Sequence, residues 1–365
     1  PALAACGDEV LVLAREAADP QAYAVPCEVV PWSDEHDPPD AAAGERVAAL
    51  ARAFAPEAAV AHNVLDSRVL AAARANAPRF VYHLHDHRPF CPNGDRLYPQ
   101  GGSVCELAMS VPVCGAHALL RGCAYGPRPR TLALVRTREA VAREVRAADC
   151  TIALSRYVAA LAARNGVARD RVRVVAPPLA SEAFAAAPVA RPAGDTILFA
   201  GRVMPSKGAR SLVRALSLLA PAPLLRVAGS GPDLAATLDE ARRRGIAAQA
   251  LGRLDAAGLR RALDDATLLA LPSLWAEPYG LIGIEAFARG RPVAAYQSGG
   301  IPEWLGDAGA SAPRGNEAAL ARAIAELLAP QTWMRAATAA FAAAQSYRVE
   351  ARVQELRTLY GMRRT

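Results

Sequence analysis

TILFAGRVMPSKGARSLVRAL, residues 196–216, is the stretch whose reading decides the fold. Thr196 to Ala200 is a short apolar, strand-forming run, Gly201 to Gly208 is a turn punctuated by Gly, Pro and Ser, and an Ala/Leu/Arg helix pattern continues from Ala209 to Leu219. The same strand-turn-helix order continues downstream. Strand Leu224 to Ala228 leads to helix Asp233 to Arg244, strand Ala248 to Leu251 to helix Ala256 to Asp265, and strand Thr267 to Leu271 to helix Leu281 to Arg289, with a further strand at Pro292 to Tyr296. Strands that alternate with helices run parallel, with helices on both faces of the sheet.

Upstream the alternation is the same. Strands are expected at Glu9 to Ala14, Cys27 to Val30, Ala58 to His62, Phe80 to Leu84, Cys150 to Leu154 and Val172 to Val175, with helices at Ala41 to Phe54, Ser67 to Asn76 and Leu132 to Ala148. From Asp86 to Arg130 a segment containing Pro, Gly and Cys fits neither period and reads as a long functional loop. PPLASEAFAAAPVARPAGD, Pro177 to Asp195, separates the two series and marks a domain boundary. The expected division is residues 1–178, residues 195–345, and a tail 346–365 whose helix, Glu350 to Tyr360, crosses back to the first domain. The opening PALAACGDEVLVLA reads as a last helical turn, a Gly7 cap and a strand, so the chain starts inside a βα unit.

At 365 residues the chain suits two medium domains, and no fixed-period repeat suggests a solenoid. Apolar residues at 53% against 21% charged exclude a disordered chain, and no long uncharged apolar run predicts a membrane span. The net charge of +7 comes far more from Arg than from Lys and suits anionic partners such as nucleotides or phospholipid head groups. No nucleic-acid motif accompanies it, so no nucleic-acid partner is expected. Seven Cys without paired CxxC spacing favour a reducing cytoplasm over a disulfide framework.

In the second domain the strand-to-helix turns lie at the carboxyl edge of the sheet, where open α/β sheets bind ligands. Arg202 and Lys207 stand on the first turn, where two cations beside a helix start can hold a diphosphate. Gly229 in AGSGPD marks a close backbone approach or a tight turn, and Arg253 and Leu254 in LGRLD offer a surface for a planar base. The fourth turn, PSLWAEPYGLIGIEAFARG, carries Glu277 in the loop and Glu285 in the helix, with seven residues between them. Gly280, Leu281 and Ile282 open that helix with free amides for a phosphate. Glu285, on an otherwise apolar helix, needs a hydroxyl or cation partner, an Arg salt bridge being the plainer option.

In order and spacing, Gly201-Arg202 with Lys207-Gly208, the Glu277/Glu285 pair and Gly299-Gly300-Ile301-Pro302-Glu303 resemble the donor-binding domain of glycosyltransferase family 4, over Ile197 to Leu305. The resemblance implies an α/β fold of the GT-B class, two Rossmann-like doubly wound domains facing across a cleft. The first would be the acceptor side and the second the nucleotide-sugar donor domain. It implies sugar transfer from a nucleoside-diphosphate sugar, UDP or GDP, to an acceptor hydroxyl with retention, and no further cofactor or metal. Arg202 and Lys207 would neutralise the departing diphosphate, Glu285 bind the ribose, Glu277 orient the sugar, and Arg253 and Leu254 flank the base.

The first domain offers FVYHLHDHRPFCP, with His83, His85 and His87 alternating at a strand end, and Asn63 in AHNVLDS. The His85-Asp86 pair resembles the histidine-containing turn of the family, implying a hydrogen bond from His85 to donor sugar or phosphate. The Gly-rich first turn usual in the family is missing. Arg121, Arg128 and Arg130 suit a phosphorylated or lipid-linked acceptor, with glycans and small molecules as the other acceptor classes and peripheral contact at the inner face of the membrane allowed by the charge. Two rival readings stay open: a metallohydrolase using HLHDH, and a non-catalytic nucleotide or carbohydrate binder on the same fold. A GT-B epimerase fits the glutamate spacing less well. Cys91, Cys105, Cys114 and Cys123, with His117 nearby, form a loose quartet able to hold a structural zinc, although free thiols are the simpler reading of such wide spacing.

Overall fold

The computed structural model describes residues 2–17, 24–33, 38–98, 102–123 and 128–362, apart from the side chains of residues 119 and 128–130. The chain divides into two compact units, Pro1–Ala176 with Val349–Thr365, and Pro177–Arg348.

In the first unit β1 (Val12–Ala14) pairs in parallel with β2 (Cys27–Val29), and β3 (Ala59–His62), β4 (Phe80–Leu84), β5 (Cys150–Ala153) and β6 (Val172–Val174) form a parallel sheet in that order. β4, FVYHL, is buried along its whole length, which is why it reads as an unbroken apolar run around one histidine. Helix Ala41–Phe54 is started by Asp40 and helix Ser67–Ala75 by Asp66, each carboxylate accepting from two backbone amides of the first turn. Helix Val349–Tyr360 belongs to this unit, tied by Arg357 to Asp8 at 2.9 Å and by Arg79 to the Leu359 carbonyl at 2.8 Å.

Part of the long segment after β4 is helical rather than loop. Val111–Arg121 is a helix, capped by Ser110 accepting from the Val113 amide and closed by Gly122 at φ +59°. Its sequence, VPVCGAHALLR, is apolar on most sides, so it shows no period. The helix expected from Leu132 begins earlier, at Arg128. The Arg128 and Arg130 side chains lie outside the described residues.

The second unit holds six parallel strands: β7 (Thr196–Ala200), β8 (Leu224–Ala228), β9 (Ala248–Gly252), β10 (Leu268–Leu271), β11 (Val293–Tyr296) and β12 (Gly309–Ala312). Their order is β9-β8-β7-β10-β11-β12, so the chain runs outward one way from β7 and then the other way from β10. That reversal places the loops after β7 and β10 side by side at the carboxyl edge. The core beneath is built from Ile197, Phe199, Leu212, Leu216, Leu225, Val227, Leu268 and Ile324, all buried. The Pro/Ala-rich segment after Pro177 packs along this unit, with the Ala185 and Val189 amides donating to Ala288 and Arg289 carbonyls.

Candidate functional site

The loops after β7 and β10 are stitched through their backbones, the Leu274 and Trp275 amides both donating to the Ser206 carbonyl at 2.9 and 3.1 Å. The next residue, Lys207, is thereby carried against the second loop. Its ammonium meets Glu277 Oε1 at 2.6 Å, Ser273 Oγ donates to the same oxygen at 2.7 Å, and Lys207 Nζ lies 4.5 Å from the Trp275 ring centroid. Glu277 is therefore no solvent-facing loop acid, being 5% exposed. Burial pushes its carboxyl up, but the Lys207 charge and the Lys207 and Ser273 hydrogen bonds bring it below the usual carboxylate range. Lys207 is the only lysine among the 365 residues. A compact ammonium has three donors and needs no planar room, which suits it to this enclosed position better than a guanidinium.

The GGIPE segment positions Glu277 from the other side. The Gly300 amide donates to the Glu277 carbonyl at 2.8 Å, and Ser298 Oγ donates to the Trp275 carbonyl. Gly299 sits at φ +59°, and a Cβ there would lie 2.0 Å from the Glu277 carbonyl oxygen, so only glycine allows this approach.

A pocket of about 560 Å³ opens at the same edge, lined among others by Arg202, Gly229, Arg253, Leu254, Ile282 and Glu285. Six residues singled out by sequence thus come together. Lys207, Glu277, Gly280 and Leu281 are not part of this lining. Gly229 makes a close backbone approach to Gly201, whose carbonyl would stand 1.9 Å from a Cβ, while the Gly229 amide donates to Gly252 at 2.7 Å. Gly280, at φ +86°, opens the helix Leu281–Phe287. Glu285 lies on that helix, and burial pushes its carboxyl above the usual range. The expected cation or hydroxyl partner is not found: Glu285 has no ion pair or side-chain hydrogen bond among the described residues. Arg202 and Arg253 are exposed and likewise have no ion-pair partner among the described residues. A carboxyl and two guanidinium groups thus share one pocket, each without an ion-pair partner among the described residues.

In the first unit the three imidazoles of HLHDH do not share a face. β4 ends at Leu84, the chain turns, and His87 is buried against Tyr157 with its ring edge-on. His62, at the end of β3 and paired in register with His83, takes its place. His62 Nδ1 lies 2.9 Å from His85 Nε2, His83 Nε2 lies 2.9 Å from the Tyr360 hydroxyl, and the His62 and His83 rings stack at 4.1 Å. Ring nitrogens of all three lie within 4.8 Å of one another and could hold a metal ion. Desolvation first, then the neighbouring imidazoles, pushes His62 down to about 4 and His83 down to about 2; desolvation also lowers His85. Asp86 is paired with Arg88 at 2.7 Å.

Two family models match the chain, "Glycosyltransferase Family 4" over residues 1–182 and "Glycosyl transferases group 1" over residues 194–330. The chain belongs to glycosyltransferase family 4. It is similar to Mycobacterium tuberculosis glycogen synthase, 33% identical over 139 residues, which are 36% of this chain and 33% of that protein. It is also similar to the D-inositol 3-phosphate glycosyltransferase of Jonesia denitrificans, 38% identical over 122 residues, 30% of this chain and 28% of that protein. The matched stretch thus spans about a third of these curated relatives. Among solved structures, Anabaena HepE in complex with UDP and glucose has a TM-score of 0.71 at 18% identity, covering 98% of this chain and 94% of that one. Sucrose-phosphate synthase from Thermosynechococcus elongatus has a TM-score of 0.68 at 21% identity, covering 99% and 90%. The likeness is one of fold: GT-B, with two Rossmann-like domains.

The family 4 motifs pointed to Glu277 and Lys207 but not to Ser273, which shares their oxygen. Nor did they point to His62 or Tyr360. A strand alternation carried one residue further would have found His62, which directly precedes Asn63; Tyr360 had no local signal.

Proposed function

We propose that this family 4 protein is a retaining glycosyltransferase that moves a sugar from a nucleoside-diphosphate sugar to an acceptor hydroxyl. The acceptor classes are glycan, lipid-linked or small-molecule, and the setting is glycan, glycolipid or polysaccharide assembly in the cytoplasm, with peripheral contact at the inner membrane face. No helix among the described residues is long and apolar enough to cross a membrane. The observation that carries the reading is Glu285, whose half-buried carboxyl lines the 560 Å³ pocket without a protein partner. A ribose diol would satisfy it.

In this reading Arg202 meets the diphosphate, and amides of Gly280, Leu281 and Ile282 add donors to the same anion. Arg253 and Leu254 lie along the base, and UDP is the favoured diphosphate because Anabaena HepE binds it. Gly229 contributes through its backbone, which keeps the second turn low beside the pocket. Glu277, ionised by its bond to Lys207, orients donor sugar hydroxyls, and Lys207 has two further N–H groups for the leaving phosphate. Breaking the glycosyl phosphate bond builds negative charge on the leaving oxygen, and fixed cations are worth most there. With Glu277 already committed to Lys207 and Ser273, a front-face path is the simpler one, in which the departing phosphate accepts the acceptor's proton. His85 is assigned to the donor on the resemblance alone.

The test is thermal stability of the full chain with UDP, GDP and ADP, beside Glu285→Ala, followed by turnover of the matching nucleotide sugar with the product anomer read by NMR. Stabilisation by one nucleotide that Glu285→Ala abolishes supports the donor site. A chain that melts cooperatively yet responds to none of the three rules the reading out.

A further inference from the structure

Four of the seven cysteines converge in the segment after β4. Cys91 follows the short turn Arg88–Phe90, Cys105 follows the antiparallel bridge of Leu97 with Val104, Cys114 lies on helix Val111–Arg121, and Cys123 lies just past its cap. All four border one cavity of about 40 Å³, together with His117. The space suits one ion or one water.

Two features distinguish this cavity from an ordinary cluster of core thiols. Arg96 is 2% exposed, donates to the Cys105 and Leu107 carbonyls, and has no carboxylate partner among the described residues; its Nε is buried without an acceptor. A buried guanidinium without an anion is costly. Finally, the Tyr98 hydroxyl donates to Cys105 Sγ at 3.3 Å and lies 3.0 Å from His117 Nδ1, an outer contact of the kind that orients metal ligands.

We propose that Cys91, Cys105, Cys114 and Cys123 bind one zinc ion that staples this segment to the first unit. Zinc displaces the four thiol protons, which pass to solvent, and no electron moves. The resulting dianionic centre is the counter-ion that Arg96 lacks. Four sulfur ligands in a closed tetrahedron suit zinc as a structural ion. The sulfurs stand wider than a closed shell, since among the described residues only His62, His83 and His85 bring three ligand atoms within 4.8 Å of one another. Binding therefore draws the four side chains inward over the cavity. The inference is independent of the nucleotide-sugar reading.

The full chain is to be purified under reductant without chelator, supplied with zinc chloride, freed of excess by gel filtration and analysed by elemental mass spectrometry. About one zinc per chain is expected, with X-ray absorption showing four sulfur neighbours near about 2.3 Å. Cys91→Ser and Cys123→Ser should each lower retained zinc about tenfold or more, with Cys27→Ser as the unaffected control. If those variants fail to fold, the wild-type stoichiometry and sulfur shell still decide. Retention of no zinc by the folded chain, an imidazole-dominated shell, or two disulfides among these cysteines in the intact mass would each overturn the site.

Discussion

The two units solve one problem, polar side chains crowded at the carboxyl ends of parallel strands, in opposite ways. At the ends of β7 and β10 the second unit buries a charge pair, Lys207 with Glu277, and sets Arg202, Arg253 and Glu285, none with an ion-pair partner among the described residues, around a pocket. At the ends of β3 and β4 the first unit keeps its cluster uncharged, with stacked imidazoles and a tyrosine hydroxyl. The first arrangement holds the Glu277 carboxyl below the usual carboxylate range and presents charge to a ligand. The second avoids charge burial but yields to acid.

The largest expected effect is at the charge pair. Lys207→Ala leaves Glu277 buried and unpaired and should cost the second unit about 3 kcal/mol in urea denaturation, whereas Lys207→Met with Glu277→Leu should recover most of that stability without activity. Recovery of activity in the double variant would break the contrast drawn above. Glu285→Ala should leave folding intact and weaken UDP by about 2 kcal/mol by calorimetry, the worth of a hydrogen bond to a charged group. Because burial raises the Glu285 carboxyl, the same affinity should decline on acidification already above the usual carboxylate range. Next in size is Tyr360→Phe, which removes the partner of His83 and should cost the first unit about 1 kcal/mol, read by hydrogen exchange in β4.

The smallest effect concerns pH. His62 and His83 have folded values of about 4 and about 2, below an unfolded imidazole, so their contribution is full above about 6.5 and is lost as pH falls below it. Glu277 has a depressed folded value, so its contribution is full above the unfolded carboxyl value of about 4.3 and is lost only on falling through that lower value. Hydrogen exchange across a pH series should therefore show β3 and β4 loosening before the loops after β7 and β10. The reverse order would mean that the histidine cluster is protonated in the folded chain, and the comparison would fail.

Much of the fold was legible because each strand-turn-helix unit is local: the elements from Thr196 to Tyr296 were readable from apolar runs and glycine turns within a residue or a few of their observed ends. The six pocket residues were singled out because they stand on or just after successive strand-to-helix turns of one parallel sheet, and such turns share its carboxyl edge. Lys207 and Glu277 were both singled out, but their mutual bond was not, since it depends on β7 lying beside β10 across 70 residues of chain. Helix Val111–Arg121 was missed because its sequence is apolar on most sides. Tyr360 is separated from His83 by 277 positions, and nothing local to either residue announces the other.

The solitary lysine has a practical consequence. An endoprotease that cleaves only after lysine has a single target in this chain, the bond from Lys207 to Gly208, and the folded loop shields it by packing Gly208 against the Pro272 carbonyl. Cleavage at that bond therefore counts the openings, local or global, that expose this one loop. The two fragments on a gel would report, without label or mutation, how tightly a bound ligand keeps that loop shut.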